Sequence, residues 1–426
     1  MMHHRFPTPQ IHQGSQLNPS KLKQLLTDNP IPSTAFQYEY GTAGFRYHHS
    51  ILNPIMVRMG ILSCLYSASI NGEGVGVMVT ASHNPENDNG VKLADSNGGM
   101  LPLKWESMAT KIANAHNDTL IEWIYEEMQN TQQEGEDNRN VRQMVVHIGR
   151  DTRSHSRALS LLTIQTIVAM GGTVIDHGLV TTPQLHYYVL RSNLQNMPSA
   201  LLAMSSGLGF ERDYIEGMIG AYLTLIGTSI RKNKRHDIIP TNNNKRRMFV
   251  DCACGVGGLK VPILNSFLRQ YDKEGGTLIN TKTSKHNRSL HEAIDLIPFN
   301  LPGDGPLNER CGAEYVQKQQ LLPRVYTKGF FNSNDKHMDY VASLDGDADR
   351  IVFHYKDKFG KLVLLDGDKI AVLVSSFLQE ELDLLSVVVK EAKDVRCGVV
   401  QTAYANGSST NYLKVSIICN SCFWSV

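Results

Sequence analysis

The sequence predicts an α/β fold in which tandem domains carry mixed, mostly parallel sheets. From about Asn53 onward, apolar runs of strand length alternate with segments of helical periodicity, and the alternation restarts twice along the 426 residues. Such alternation favours right-handed β-α-β crossovers that place helices on both faces of a sheet. The chain is 41% hydrophobic and 19% charged, and its length suits two to four globular domains.

The first unit opens with a helix and a buried strand. Asn53 and Pro54 form an N-cap and first-turn pair, and apolar residues then repeat at helical spacing. Val75–Val79 is an apolar run of strand length, residues 80–89 are a polar loop, and residues 91–93 predict a short returning strand. The elements that continue the unit are a strand at 144–148, a helix that ends near Gly171 and a strand at 173–176.

Two further units follow. Basic runs at 231–235 and 242–247 precede the second unit, and we interpret them as a solvated insertion. The second unit is predicted to hold a strand at 248–251, a glycine turn at 254–258 and a helix at 259–270. The third is predicted to hold a strand at 362–365, a helix capped by Asp366 that runs to about Leu382, a strand at 398–402 and a helix that opens at 407–410. A β-α-β module takes roughly 30 residues or more, so the third unit is incomplete.

Composition excludes several classes of function. The net charge of +1 gives no large field that would favour nucleic acid or an anionic membrane. Residues 1–19 lack the apolar core of a signal peptide, and no run reaches the roughly 18 apolar residues that a membrane span requires. Seven cysteines, an odd number in a long chain, favour a reducing compartment over a disulfide framework. We therefore expect a cytoplasmic protein that binds neither nucleic acid nor a membrane.

An acidic loop joins two strand-like runs late in the chain. Asp345, Asp347 and Asp349 alternate with small residues, so their carboxylates lie on one side of an extended or tightly bent backbone. Three carboxylates this close repel one another unless a cation lies between them. Oxygen-only ligands favour Mg²⁺, Mn²⁺ or Ca²⁺ over zinc. An EF-hand is excluded, because Arg350 stands where its glycine belongs and Lys356 where its glutamate belongs.

A serine loop lies early in the chain, in the run TASHNP at residues 80–85. Ser82 beside His83 has the composition of an activated nucleophile, although the glycines of a hydrolase elbow are missing. A turn held by local side-chain to backbone bonds is the alternative. A phosphoserine explains more, because it carries nearly two negative charges that the aspartates would repel unless Mg²⁺ bridged them. Ser82 is therefore also a candidate metal ligand.

Three basic residues stand near these loops in sequence. Arg46 ends a turn of small residues, where its donors suit a phosphate or sugar oxygen. Lys92 lies on the returning strand, where it can act in proton transfer or as a charge stabiliser. Arg350 follows the last aspartate and can neutralise a transferring phosphate. By contrast, residues 150–151 and 181–187 are interpreted as turn and packing residues.

Taken together, these motifs identify a family resemblance. The runs GTAGFR at 41–46, TASHNP at 80–85 and DGDADR at 345–350 resemble the alpha-D-phosphohexomutase superfamily, in the order in which its members carry them. Residues 89–93, 179–187 and 398–407 look like its phosphoacetylglucosamine mutase branch. The likeness runs from about residue 37 to residue 412. By this resemblance, Ser82 is the phosphorylated residue, Ser82 and the three aspartates hold one Mg²⁺, and the residues around the transferred group are Arg46, His83, Lys92 and Arg350.

The resemblance implies an intramolecular phosphotransferase of the isomerase class. Its reaction interconverts N-acetylglucosamine 6-phosphate and N-acetylglucosamine 1-phosphate through a phosphoserine and a 1,6-bisphosphate intermediate. A hexose 1,6-bisphosphate acts as activator, and the only partner expected of a monomeric enzyme is its phosphosugar substrate. Phosphoglucomutase or phosphomannomutase activity is the alternative within the superfamily.

The resemblance ends before the chain does. The resemblance implies four domains, and we expect this chain to hold a partial third domain and no fourth, because it shows neither the sugar-contact nor the phosphate-clamp motif. The expected organisation is a polar segment at 1–36, a first domain with the phosphoserine loop at 37–205, a second domain with the metal-binding loop at 206–355, and a partial third domain with a divergent tail at 356–426. We expect impaired turnover, and a non-catalytic truncated isoform is the remaining alternative.

Overall fold

The fold was analysed in a computed structural model. It describes residues 9–32, 36–41, 43–133, 144–194, 209–232, 247–273, 294–324, 340–389, 395, 398–401, 405–416 and 423–425. The predicted domain boundary at 205/206, most of the basic insertion and residues 417–422 of the predicted tail lie outside this description.

The first sheet has six strands and parallel pairing at its centre. Its strands are β1 (Gln10–Gln13), β2 (Phe45–His48), β3 (Val75–Val79), β4 (Asp88–Ala94), β5 (Val145–Arg150) and β6 (Thr173–Leu179). Their spatial order is β1-β6-β5-β3-β4-β2. Strand β5 pairs in parallel with β3 and β6, whereas β1, β2 and β4 add antiparallel edges. Strand β1 shows that the polar segment at 1–36 contributes to this sheet.

Helices cover the first sheet. They are α1 (Pro19–Asp28), α2 (Asn53–Ser69), α3 (Leu103–Asn114), α4 (Asn117–Gln133), α5 (Ser156–Ala169) and α6 (Thr182–Leu194). Helix α2 is buried on every side from Pro54 to Ser67, which is why its sequence is apolar around its full circumference. It begins one residue earlier than predicted: Asn53 is its first residue and Leu52 occupies the cap position. The described helices include none that is both long and apolar enough to cross a bilayer.

The second sheet has five strands in the order β11-β10-β9-β7-β8. They are β7 (Arg247–Asp251), β8 (Asp295–Phe299), β9 (Tyr340–Leu344), β10 (Ile351–Lys356) and β11 (Leu362–Leu365), and the accompanying helices are α7 (Phe210–Lys232), α8 (Gly257–Lys273) and α9 (Ala313–Gln319). Strand β11 was predicted to open the third unit, but it pairs with β10 through a hairpin closed by Asp357 and Lys361. The boundary at 355/356 itself stays a prediction.

The last described elements are α10 (Gly367–Val388), β12 (Val399–Gln401), α11 (Gly407–Ser416) and β13 (Phe423–Ser425). Asp366 caps α10 as predicted, since its side chain accepts a hydrogen bond from the Lys369 backbone N–H at 3.2 Å. Helix α10 continues past Leu382. Helix α11 runs to Ser416, so the apolar run predicted to follow the opening turn is partly helical, and β13 pairs in parallel with β12.

The mixed α/β architecture predicted from the sequence is confirmed. Antiparallel pairing is more extensive than the alternation of elements indicated, because β1, the β3-β4 hairpin and the β9-β10-β11 meander add antiparallel neighbours. The parallel strands keep their carboxyl ends together. In sheets of this kind, that edge is where ligands bind.

A buried histidine pair packs between the first sheet and α7. His147 Nδ1 lies 2.9 Å from His177 Nε2, the two rings are stacked on each other, and both meet the Phe210 ring edge to face. Burial lowers the pKa of His147 to about 3. Burial, with a smaller contribution from His147, lowers the pKa of His177 well below its usual value. Both imidazoles are therefore neutral in the folded protein at pH 7.

Acidification is expected to destabilise the protein through this pair. Below pH 6.5 a histidine binds a proton in the unfolded chain, whereas the buried pair in the folded protein stays neutral. The contribution of the pair to the free energy of unfolding is therefore complete above pH 6.5 and falls as the pH approaches 3. At pH 5 the loss is roughly 2 kcal/mol per histidine. Urea unfolding at pH 7, 6 and 5 measures it. The double variant His147→Asn/His177→Asn should show a shallower pH dependence, whereas the exposed-site control His116→Asn should match the parent. An unchanged slope in the double variant contradicts the assignment.

Candidate active site

The serine loop leaves the carboxyl end of β3 through a sharp turn. Ser82 has φ of +51°, a left-handed conformation, and its side chain is buried. Its backbone N–H donates to Thr80 Oγ1 at 3.0 Å. Its carbonyl oxygen accepts a hydrogen bond from Asn308 Nδ2 at 2.9 Å. The turn therefore presents the Ser82 hydroxyl at the sheet edge with a fixed backbone.

The aspartate loop connects β9 and β10. Asp345 and Asp347 are buried and Asp349 is exposed, and one carboxylate oxygen from each lies within 4.8 Å of the others. A Cβ atom on Gly346 would lie 2.6 Å from the Ser82 carbonyl oxygen. Glycine is therefore required at this position, because it lets the backbones of the two loops touch.

The two loops meet through a direct hydrogen bond. Ser82 Oγ donates to Asp345 Oδ2 at 2.6 Å, although 263 positions separate them in sequence. Arg350 joins this contact, since its Nη2 donates to Ser82 Oγ at 3.2 Å and its Nε to Asp345 Oδ2 at 3.0 Å. The Ser82 hydroxyl, the Asp345 carboxylate and the Arg350 guanidinium thus lie within hydrogen-bond distance of one another. This is the proximity that phosphate transfer from a serine would require.

Lys92 supplies a second cation from the first sheet. Its Nζ lies 3.2 Å from Asp347 Oδ2 and 2.8 Å from Asp349 Oδ2. Burial opposes the charge on this ammonium group, but Asp347 and Asp349 outweigh burial and hold the pKa of Lys92 above its usual value. Lys92 is therefore protonated at neutral pH and acts here as a positive charge.

Arg46 and His83 lie beside each other at the same site. Arg46 Nη1 lies 3.5 Å from His83 Nδ1, and because an arginine only donates, that ring nitrogen is the acceptor. His83 Nε2 faces Glu314 Oε1 at 3.8 Å. Burial, followed by the charge of Arg350, lowers the pKa of His83 to about 4. His83 is therefore neutral at pH 7, with Nδ1 as its unprotonated nitrogen.

The carboxylates fit a hard divalent cation. Burial and repulsion from Asp347 raise the pKa of Asp345 to about 7, which shows how unfavourable a second bare carboxylate is here. For Asp347, Lys92 and a hydrogen bond from Thr182 outweigh burial and lower the pKa. Asp347 Oδ1 is buried and finds no hydrogen-bond partner in the described part of the chain. An oxygen-only donor set with an unpaired buried oxygen suits Mg²⁺ or Mn²⁺.

Comparison with known proteins assigns the family. Residues 62–120 and 125–198 match the phosphoglucomutase/phosphomannomutase alpha/beta/alpha domain I, and residues 366–423 match domain III of phosphoacetylglucosamine mutase AMG1. A crystal structure of N-acetylglucosamine-phosphate mutase in its product complex aligns with a TM-score of 0.73 and 32% identity, over 96% of this chain and 67% of that one. The chain belongs to the phosphoacetylglucosamine mutase family.

Two further members of the phosphoacetylglucosamine mutase family support the assignment. The human phosphoacetylglucosamine mutase is 38% identical over 389 residues, which is 89% of this chain and 60% of the human protein. The Aspergillus fumigatus enzyme, solved in complex with GlcNAc-6P and magnesium, aligns with a TM-score of 0.69 and 33% identity, over 97% of this chain and 66% of that one. This chain therefore spans about 60% of the length of the human family member.

Thr182 is a site residue that the sequence did not reveal. It was predicted to hold a turn, but its Oγ1 donates to Asp347 Oδ2 at 2.6 Å and its backbone N–H donates to the Asp347 carbonyl oxygen at 3.1 Å. It is the first residue of α6, which follows β6. The available signal was its place after a central parallel strand, at the edge where β3 and β5 also end.

Asp151 and Arg153 hold the serine loop through hydrogen bonds to Thr80 and Asn84. Asp151 Oδ2 accepts a hydrogen bond from Thr80 Oγ1 at 2.9 Å and forms a buried ion pair with Arg153. Arg153 Nη2 in turn donates to the Asn84 carbonyl oxygen at 2.8 Å. Residues 150–151 were predicted to hold a turn and to pack. Asp151 does so by fixing the turn that presents Ser82.

Substitution of Asp347 is expected to weaken cation binding. In Asp347→Asn the buried carboxylate charge is lost, and the Mn²⁺ dissociation constant should rise by roughly 100-fold or more. Titration of Mn²⁺ followed by electron paramagnetic resonance measures it, and Asp357→Asn in the β10-β11 turn is the matched control. Equal Mn²⁺ affinity in Asp347→Asn and the parent would remove the metal assignment.

A smaller effect is expected at Thr182. Thr182→Val keeps the shape of the side chain but removes the hydrogen bond to Asp347, so the carboxylate loses its orientation. The Mn²⁺ dissociation constant should rise by roughly tenfold. Thr182→Ser, which restores the hydroxyl, should recover most of the affinity. A serine variant as weak as the valine variant would indicate a packing effect instead.

Proposed function

We propose that this chain carries the phosphotransfer centre of a phosphoacetylglucosamine mutase, which interconverts N-acetylglucosamine 6-phosphate and N-acetylglucosamine 1-phosphate. The observation that carries the proposal is the 2.6 Å hydrogen bond between Ser82 Oγ and Asp345, within a ring of two further carboxylates and the cations Lys92 and Arg350. Membership of the mutase family and the likeness to a relative solved with GlcNAc-6P and magnesium support the same reaction.

In this proposal, Ser82 carries the phosphoryl group, and a phosphate oxygen on Ser82 together with Asp345, Asp347 and Asp349 would hold one Mg²⁺. When bound, the ion neutralises charge on the phosphoryl oxygens and polarises phosphorus toward attack. Arg350 supplies fixed positive charge at Ser82 Oγ, and Lys92 supplies it at Asp347 and Asp349. Phosphoryl transfer depends mainly on such positioning and charge neutralisation.

The protonation states of the residues around Ser82 indicate their roles in the proposed reaction. Lys92 is held protonated by its aspartates, so it stabilises charge and does not take a proton. His83 is neutral, and its Nδ1 is the acceptor in the contact with Arg46. We therefore assign His83 as the group that exchanges a proton with the sugar hydroxyl, and Arg46 as a phosphate-binding cation beside it.

The chemistry balances as two mirrored transfers. In the first, the free hydroxyl oxygen of a hexose monophosphate bonds to phosphorus while the Ser82 Oγ–P bond breaks, and the hydroxyl proton replaces the phosphoryl group on Ser82. The product is a 1,6-bisphosphate, which reorients. In the second, Ser82 Oγ attacks the other phosphate and the proton returns to the sugar. A hexose 1,6-bisphosphate added from outside would load Ser82 directly and so act as an activator.

Phosphorylation of Ser82 provides the decisive test. The full chain is incubated with Mg²⁺ and glucose 1,6-bisphosphate, and phosphopeptides are mapped by mass spectrometry. We expect one phosphate on Ser82, none in Ser82→Ala, and unchanged labelling in Ser107→Ala, whose serine is exposed on α3. Labelling that persists in Ser82→Ala would sink the proposal.

Turnover is measured separately from Ser82 labelling. The full chain is assayed with N-acetylglucosamine, glucose and mannose 1-phosphates, with the human enzyme as reference. We expect conversion of the acetylated sugar to be fastest, but well below the rate of the human enzyme, because this chain spans 60% of that protein and remote contacts contribute to rate. Preference for glucose or mannose phosphate would favour the alternative mutase activities. Turnover equal to the human rate would contradict the expected impairment.

A further inference from the structure

Two buried cysteines lie behind the aspartate loop. Cys254 follows β7 in a turn with φ of +57°, and Cys311 lies two residues before α9. Their exposed fractions are 3% and 1%. The neighbours of Cys311 place it beside the Cys254 turn, since a Cβ on Gly312 would lie 2.9 Å from Ala253 Cβ, and the Arg324 backbone N–H donates to the Arg310 carbonyl oxygen at 2.9 Å. Neither thiol takes part in the phosphotransfer proposed above, and no sequence motif assigns them a role.

The surroundings of Cys254 favour a thiolate. Arg324 Nη2 donates to Cys254 Sγ at 2.7 Å. The hydrogen bond from Cys311, aided against burial by the charge of Arg324, lowers the pKa of Cys254. At neighbouring Cys252, burial raises the pKa of the thiol instead. A guanidinium at a sulfur favours its thiolate form, and a second thiol beside it can serve as a resolving partner.

The Cys254 turn touches the aspartate loop directly. The Val256 backbone N–H donates to the Gly346 carbonyl oxygen at 3.0 Å. A Cβ on Gly255 would lie 2.3 Å from the same oxygen, so the two backbones are in contact. Gly346 in turn touches the Ser82 backbone. A displacement of the Cys254 turn therefore reaches Ser82 through two backbone contacts.

The Cys311 segment reaches the site from the other side. Asn308 donates from its backbone N–H to the Ala253 carbonyl oxygen at 2.9 Å and from its side chain to the Ser82 carbonyl oxygen at 2.9 Å. Glu314 accepts a hydrogen bond from Arg350 Nη1 at 3.1 Å. The two cysteines thus belong to the two segments that support the serine and aspartate loops.

We propose that Cys254 and Cys311 form a reversible disulfide when the protein meets a peroxide, and that this bond disturbs the Ser82–Asp345 site. Cys254 thiolate attacks one oxygen of hydrogen peroxide: an S–O bond forms, the O–O bond breaks, and hydroxide leaves as water after protonation. The Cys311 sulfur then attacks the Cys254 sulfur, the S–S bond forms, and a second water leaves. Two thiols lose two electrons and two protons, and one peroxide becomes two waters.

The geometric consequence follows from bond lengths. A disulfide holds its sulfurs about 2.05 Å apart, closer than hydrogen-bonded thiols by more than roughly 1 Å. The Cys254 turn and the segment before α9 must therefore move toward each other. The Cys254 turn contacts Gly346 backbone to backbone, and the segment before α9 reaches the Ser82 carbonyl oxygen through the Asn308 side chain. The metal-binding geometry therefore changes when these segments move. This effect on the site rests on the proposed function, whereas formation of the bond does not.

Disulfide mapping tests the bond itself. The reduced full chain is treated with hydrogen peroxide, free thiols are blocked with N-ethylmaleimide, and peptides are mapped by mass spectrometry. We expect a Cys254–Cys311 link that dithiothreitol reverses, that Cys254→Ala and Cys311→Ala each abolish, and that the remote control Cys64→Ala retains. Circular dichroism establishes that each variant is folded. Absence of the link in the folded parent, or a link from Cys254 to another cysteine, overturns the proposal.

The role of Arg324 and the coupling to the site are tested next. Arg324→Gln should slow peroxide oxidation of Cys254 by about tenfold, the factor for one pKa unit; an unchanged rate contradicts thiolate activation. Mn²⁺ affinity of the parent should fall by about tenfold on oxidation and recover on reduction, while oxidised Cys254→Ala keeps its affinity. A mapped disulfide with unaltered Mn²⁺ affinity would refute the coupling between the disulfide and the metal site. Phosphorylation of Ser82 is assayed in reduced protein, so its result is independent of this outcome.

Discussion

The site depends on the balance of charge where the serine and aspartate loops meet. Three aspartates converge within 4.8 Å, and the raised pKa of Asp345 shows that this concentration of carboxylates is unfavourable without compensation. Lys92 comes from the first sheet and Arg350 from the second, so each sheet contributes a cation. The interface between the loops is therefore held by complementary charge at its centre, and removal of Lys92 would leave the buried Asp347 carboxylate without its ion pair.

Much of this site could be predicted from the sequence because its chemistry is local to each loop. The alternating aspartates, and a serine in a polar turn after an apolar strand, are visible within six residues of sequence, and each required the other on grounds of charge. The structure brings Ser82, Asp345, Lys92 and Arg350 together. Thr182 was missed because a threonine at the start of a helix has the same local pattern whether it caps the helix or binds a residue from a distant loop.

The fold was predictable where the hydrophobic periodicity was strong, and less predictable where the sheet that a strand joins depends on its pairing partner. Strand β3 was predicted with its observed bounds, whereas β4 begins at Asp88, three residues before the predicted start at residue 91. Strand β11 was predicted to open the third unit but pairs with β10, because a four-residue apolar run carries no information about its partner. The hairpin signal was present in Gly360, which adopts φ of +79° between Asp357 and Lys361. Strand β1 was missed because an edge strand of polar residues lacks an apolar run.

The way the loops are joined explains why small structural changes behind them matter. Gly255, Gly346 and the Ser82 carbonyl group are stacked backbone against backbone, at distances that leave no room for a single methyl group. A packed side chain can absorb a displacement by changing rotamer, but a peptide group has no such freedom. The contact between the two sheets at this point is therefore stiff. Geometry set at the turn after β7 is transmitted to Ser82, so the second sheet contributes to the position of the Ser82 hydroxyl as well as to that of the carboxylates.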